Sequence, residues 1–293
     1  MQSSATSPPM APIPDMTSTA ASAAASPLAA AGPIPPPPVK PLVQRLIDYA
    51  IAGALALLLL IGFGRVGIPQ IGRLFTNSEH MRGYIVQFLH PDWTDLPTYI
   101  DKMWLTVQIA SWGTFLAIVL AIPMGLLCAR NITPVWIQQP MRRVIDLLRA
   151  IPDLVIGTLF IVSVGLGPIA GVLALALNTG GVLAKLFSEA VESIDRGPVE
   201  GVRATGAAPL QEIVWGVIPQ VAPLWTSYAL YRFESNSRSA TVLGLIGAGG
   251  IGQVLFDTMN GFAYSKLAAI VVVIVVAVTL IDLLSQAIRS RLM

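Results

Sequence analysis

Over most of its length the chain is written in long apolar blocks separated by short polar stretches. A helix needs about 20 mostly apolar residues to cross the hydrocarbon of a bilayer. Six blocks approach or exceed that length: 46–63, 104–129, 144–166, 168–187, 213–230 and 267–284. Each predicts a spanning helix, which makes the fold all-α and polytopic. Pro123, Pro152, Pro219 and Pro223 fall within these blocks. Membrane helices tolerate proline where neighbouring helices satisfy the carbonyls it frees. Residues 65–102 carry Asp92, Trp93, Asp95 and Tyr99 and are too polar to span. They read as a connecting loop, with Trp93 and Trp104 at the interface belt.

Composition points the same way. The 293 residues are 54% hydrophobic and 12% charged, against about 25% charged in an average soluble domain. A net charge of +2 leaves no electrostatic footprint for nucleic acid. The single cysteine, Cys128, lies in an apolar run and reads as a small buried hydrophobe. Residues 1–38 are mostly Ala, Ser, Pro and Thr, with Asp15 the one charge. Such a stretch cannot bury enough apolar surface to offset its ordering entropy, so a disordered tail is expected there. It lacks the basic start of a signal peptide. The expected organisation is a tail over 1–38, a first span with an external loop over 39–103, and a membrane core over 104–293.

Orientation follows from Lys and Arg near the helix ends. With the N-terminus inside, these residues divide eleven to seven in favour of the cytoplasmic side. The C-terminus and the polar insert at 198–210 then fall inside as well.

That insert is the most informative stretch. Polar backbone cannot face lipid, so it must lie at the surface or inside protein. Asp195 or Gly197 can cap a short helix, and Pro198 suits its first turn. Val199, Val202 and Arg203 share one face. Gly206 can take the left-handed conformation that ends a helix, Pro209 keeps the next residues from continuing it, and Leu210 starts the following helix. Glu200, near the helix start, can bond free amides or a basic group on a partner. The spacing of Glu200-Gly201-Val202, Gly206 and Ile218-Pro219 resembles the EAA signature of ABC importer permeases, with Gly201 and Gly216 departing from its usual residues.

A second stretch strengthens the resemblance. Residues 228–253 contain Tyr231-Arg232-Phe233-Glu234 and a glycine-rich run ending at Gln253. With residues 188–195 and the insert, they resemble the permeases of phosphonate-type ABC importers, a family that also carries phosphate and phosphite. The methionine-type permeases share the layout. The resemblance implies a type I importer permease of six spans in a bacterial inner membrane, both termini cytoplasmic. It implies an ATPase-coupling role for Glu200, Gly201, Val202, Arg203, Gly206, Pro209 and Leu210. It also implies two ATPase subunits, which bind ATP and Mg, an external substrate-binding protein and a second permease copy. No cofactor is expected on this chain, which lacks G-x-x-x-x-G-K-[ST].

Arg232, Glu234 and Arg238 lie at the end of an apolar block. Ionisable groups at membrane depth mark a partner or a water-filled path, and Arg bonds phosphorus oxyanions bidentately. Arg238 fits either an anion path or a pair with Glu234. For Arg232 the expectation is a pair with Glu234. Asn178 and Thr179 interrupt the fourth block and predict interhelical hydrogen bonds, with a pore-facing role as the alternative. Arg149 and Asp153, four apart, predict a local pair. Gly247, Gly249 and Gly252 match the dinucleotide pattern, but no strand can be drawn before them, so a broken or closely packed segment between helices is expected, with a gate and tight packing alone as its two readings. His80 and His90, both in the loop, are far from Cys128 and indicate no zinc site. A methionine permease, a self-powered carrier and an intramembrane enzyme are the competing functions. The carrier gives no reason for the insert, and the enzyme needs an acid–base or metal cluster that the spans lack.

Overall fold

The computed structural model describes residues 41–67, Gly72 and 78–292. The expected tail over 1–38 lies outside them. The described residues are helical and contain no strand. They form two compact units, divided between Phe75 and Thr76.

The first unit holds α1, Leu42–Arg65, 24 residues with a mean hydropathy of 2.3 over its most apolar window. It is long enough to cross a membrane by itself.

The second unit holds α2 (Ser78–Phe88), α3 (Leu96–Cys128), α4 (Val135–Ala150), α5 (Asp153–Val164), α6 (Pro168–Glu192), α7 (Arg196–Ala204), α8 (Pro209–Ala248), α9 (Ile251–Asn260) and α10 (Tyr264–Leu292). Four helices, α1, α3, α6 and α10, are each long and apolar enough to span. Two bent pairs qualify if each pair is one span: α4 with α5, bent by 90°, and α8 with α9, bent by 59°. The count is therefore four to six by length and composition.

The helix α6 is the centre of this unit. It packs along α3 through small residues. Gly113, Ala117, Ala121 and Gly125 form one buried face of α3, against Leu175, Gly180, Ala184 and Phe187 of α6. A Cβ on Gly113 would sit 2.7 Å from the Leu175 Cβ, and one on Gly125 would sit 2.8 Å from the Phe187 Cβ. Membrane helices associate by such close approach, because lipid supplies no hydrophobic drive between them. Phe187 also stacks on Trp225 of α8, with ring centroids 4.5 Å apart, and Trp225 Nε1 donates to the Phe187 carbonyl.

Three sequence expectations change. The block 144–166 is not one helix. The chain breaks at Ile151-Pro152, since proline disfavours helical geometry in the residue before it. Asn178 Nδ2 donates to the Ile151 carbonyl at 3.2 Å, satisfying a group that the break leaves open. Arg149 lies 3.9 Å from Asp146, not paired with Asp153 across the break. The segment 65–102 is more than a loop: it contains α2 and the first turns of α3.

Candidate functional site

The insert forms the short helix and turn that its residues predict, but Pro209 is the first residue of the next helix and not a break before it. Asp195 caps α7 by accepting from the Gly197 N–H at 3.0 Å. The helix ends at Thr205, and Gly206 turns the chain with φ of +81°. A Cβ added at Gly206 would meet no atom beyond its chain neighbours within 4 Å, so the constraint there is conformational and not steric. The next helix opens with Pro209, and the Ala208 N–H donates to Gln211 Oε1 at 2.8 Å.

Three contacts fix α7 to α8. Arg203 makes a two-pronged bond to Glu212, Nε to Oε1 at 3.0 Å and Nη2 to Oε2 at 2.8 Å. That bond raises the Arg203 pKa further above its ordinary value. Gln220 accepts from the Asp195 N–H and donates to the Asp195 carbonyl, both at 3.2 Å, and donates to the Gly216 carbonyl at 2.6 Å. Gly216 admits Val199 so closely that a Cβ there would lie 3.1 Å from the Val199 Cα. The glycine at a position where the signature usually has isoleucine is thus the seat of α7. Glu212 and Gln220 carry no motif signal; only the turn at Gly206 and the widened helical turn at Ile213–Val217 bring them to α7.

Two concavities flank α7. A recess of about 350 Å³ is lined by Arg130, Asn131, Arg196, Glu200 and Arg203 together with Ile132, Ile194, Val199 and Val217. A groove of about 600 Å³ is lined by Pro198, Gly201, Val202, Gly206, Gln211 and Trp215. Leu210 and Trp215 are each 71% exposed. Glu200 stands one turn inside the helix, in the recess, while the free amide at the helix start belongs to Asp195. Behind the recess, Arg142 bonds Glu192 and the Cys128 carbonyl, and Arg130 N–H donates to Glu192 Oε1, which ties α3, α4 and α6 together at this end.

The second set of residues lies along α8. Glu234 bonds Arg289 of α10, so neither Arg232 nor Arg238 is its partner. Arg238 pairs with Asp282 of α10, Nη1 to Oδ1 at 3.4 Å. Arg232 Nη2 approaches Thr179 Oγ1 at 3.4 Å. Thr179 Oγ1 donates to Asn236 Oδ1 at 2.7 Å, and Asn236 Nδ2 donates to Thr114 Oγ1 at 2.8 Å. Thr179 thus makes an interhelical bond, and Asn178 bonds the chain at the break between α4 and α5.

The glycine-rich run is a tight kink between α8 and α9. Gly247, Gly249 and Gly250 have φ of +102°, +80° and +74°. A Cβ on Gly252 would lie 1.9 Å from the Thr241 carbonyl oxygen. Thr106 of α3 braces the kink, its Oγ1 accepting the Ile251 N–H at 2.8 Å. No strand precedes the run among the described residues, and it has no dinucleotide-binding architecture.

Residues 121–293 match the family of binding-protein-dependent transport system inner membrane components. The chain belongs to this family. It is a multi-pass transport component of an inner membrane and not an enzyme. It is 39% identical over 227 residues to the phosphite transport system permease protein of Stutzerimonas stutzeri, which covers 77% of this chain and 82% of that protein. It is 41% identical over 257 residues to the phosphate-import permease protein of Mycolicibacterium smegmatis, 86% of this chain and 48% of that protein. Among solved structures, a chain of the inward-facing MetNI methionine ABC transporter superposes with a TM-score of 0.63 at 21% identity, covering 69% of this chain and 99% of that one. This last likeness concerns the fold, that of type I importer permeases. Within this fold α7 holds the place between α6 and α8 that the insert occupies in sequence.

Proposed function

We propose that this chain is the permease subunit of an ATP-driven, binding-protein-dependent importer of phosphorus oxyanions: phosphonate, phosphite or phosphate. The observation that carries the substrate class is the 39% identity, over most of both chains, to a permease named for phosphite transport. The relative named for phosphate import supports the same class. The methionine transporter shares the fold at only 21% identity.

In this reading each bent pair is one span, six spans cross the membrane, and both termini are cytoplasmic. The helix α7 with its groove and the exposed Leu210 and Trp215 is the ATPase contact. Glu200, Gly201, Val202, Arg203, Gly206 and Pro209 shape that surface. Two ATPase subunits bind ATP and Mg, a second copy of the chain completes the path, and an external binding protein delivers the anion. Closure of the ATPases displaces α7. The Arg203–Glu212 bond, the Gln220 bonds and the Val199–Gly216 contact carry that displacement into α8. Since α8 runs on to the glycine kink, motion at the cytoplasmic surface is carried along it towards the membrane core.

The test is uptake. Cells or vesicles carrying the complete importer are given labelled phosphite, methylphosphonate, phosphate, sulfate and methionine. ATP-dependent accumulation of at least one phosphorus oxyanion, with neither sulfate nor methionine entering, is expected. Accumulation of methionine alone overturns the substrate class, and accumulation without the ATPase overturns the importer class.

A further inference from the structure

Three arginines lie on α8 and α10; two of them pair with carboxylates across that interface, and Arg232 turns towards α6. Arg289 bonds Glu234, and Arg238 pairs with Asp282. Arg232 has no carboxylate within ion-pair distance among the described residues, and the charge of Asp153 acts on it only from farther off. A guanidinium offers five N–H donors. Arg232 spends one of them on a long 3.4 Å bond to Thr179, and its buried Nε has no partner at all. A charged group at membrane depth is costly and is retained where it pairs or serves a path.

The surroundings are built for something beyond packing. Thr114, Asn236 and Thr179 form a directed chain of hydrogen bonds across α3, α8 and α6. Each member is buried, and the chain ends at Arg232. The Thr179 proton goes to Asn236, so a lone pair is what it presents to the guanidinium. Next to Thr179 on α6, Asn178 holds the Ile151 carbonyl at the break between α4 and α5. Broken helices inside a membrane protein are tolerated where they are buried or line a cavity.

We propose that Arg232 is the residue of the transport path that holds the phosphorus oxyanion in the membrane core, with its unpartnered donors bonding the anion oxygens and the Thr114–Asn236–Thr179 chain holding the guanidinium in place. This rests on the phosphorus-oxyanion reading above. Arg238 is not the residue that does so, because Asp282 already answers its charge. The planar fork suits two oxygens of one tetrahedral anion, which a point charge does not match.

The experiment uses the complete importer in proteoliposomes, with uptake of phosphite, methylphosphonate and phosphate measured beside co-purification of the ATPase. The wild type must carry at least one of these anions; if it carries none, the substrate class fails and the proposal fails with it. With a transporting wild type, Arg232→Ala is expected to assemble and to lose uptake by at least about tenfold, the scale of a lost charge-assisted bond. Arg232→Lys is expected to recover part of that loss, and Arg232→Gln, which keeps a bond to Thr179 without the charge, is expected to recover none. Uptake by Arg232→Gln within twofold of wild type overturns the proposal. So does failure of both the Ala and Gln variants to assemble, which would make Arg232 a packing residue.

Discussion

Glu234 of α8 and Arg289 of α10 form a closed ion pair across 55 residues of sequence, with side-chain exposures of only 10% and 23%. Removing one member of such a pair strands the other charge, at about 3–5 kcal/mol for a fully buried case. The partial exposure of Arg289 places the expected effect near the lower end. Glu234→Ala and Arg289→Ala are each expected to lower the melting temperature of the detergent-solubilised complex. Glu234→Leu combined with Arg289→Met is expected to recover most of it, since well-packed apolar replacements of buried pairs are often neutral. Single variants that melt with the wild type would remove the pair from any structural role.

Gly206 is the sensitive point of the α7 turn. Its φ of +81° is open to glycine and strained for other residues, most of all β-branched ones. Gly206→Val is expected to insert in the membrane normally and to lose ATPase association and uptake by at least about tenfold, with a strain of roughly 1–3 kcal/mol at the turn. Gly206→Asn is expected to be milder, because asparagine visits this region more readily. Wild-type uptake by Gly206→Val would show that the turn plays no part in coupling.

Gly252 is constrained by space. The 1.9 Å clash of an added Cβ with the Thr241 carbonyl cannot be relieved by a side-chain rotation, because the obstacle is backbone. Gly252→Ala is expected to disrupt the α8–α9 kink and lower the yield of folded complex several-fold on size-exclusion chromatography. A normal elution profile and melting temperature would refute the packing argument.

Asn178→Leu keeps the approximate volume and removes the donor to the Ile151 carbonyl. An unsatisfied buried carbonyl costs about 1–3 kcal/mol. A lower melting temperature is expected, together with faster proteolysis near the α4–α5 break. If stability is unchanged, another donor serves that carbonyl.

Topology can be read with thiol reagents, because Cys128 is the one native cysteine and it is buried. In a Cys128→Ala background, Thr205→Cys is expected to resist membrane-impermeant reagents in intact cells and to react once the membrane is opened. Labelling from outside would invert the proposed orientation.

The α7 region was legible in the sequence because its determinants are local. Asp195, Pro198 and Gly206 act on backbone within a few residues of themselves, so cap, first turn and stop follow from residue type. Ion-pair partners were not legible. The nearest opposite charge to Arg232 and to Arg238 in sequence is Glu234, yet packing of α10 along α8 hands Glu234 to Arg289 and Arg238 to Asp282. The break at Pro152 carried a signal in the proline itself, but its 90° bend depends on how α5 meets α6.

By itself the sequence determined the helical class, the apolar blocks, the α7 turn and the family, because the bilayer and the backbone impose length, polarity and conformational limits on each segment separately. Only the tertiary structure decided which charges are neutralised, that Gly216 seats Val199, and that Arg232 keeps an open donor at the end of a polar chain. The reason is physical: helix packing joins residues tens of positions apart, and an electrostatic partner is set by distance in space, which spacing along the chain does not encode.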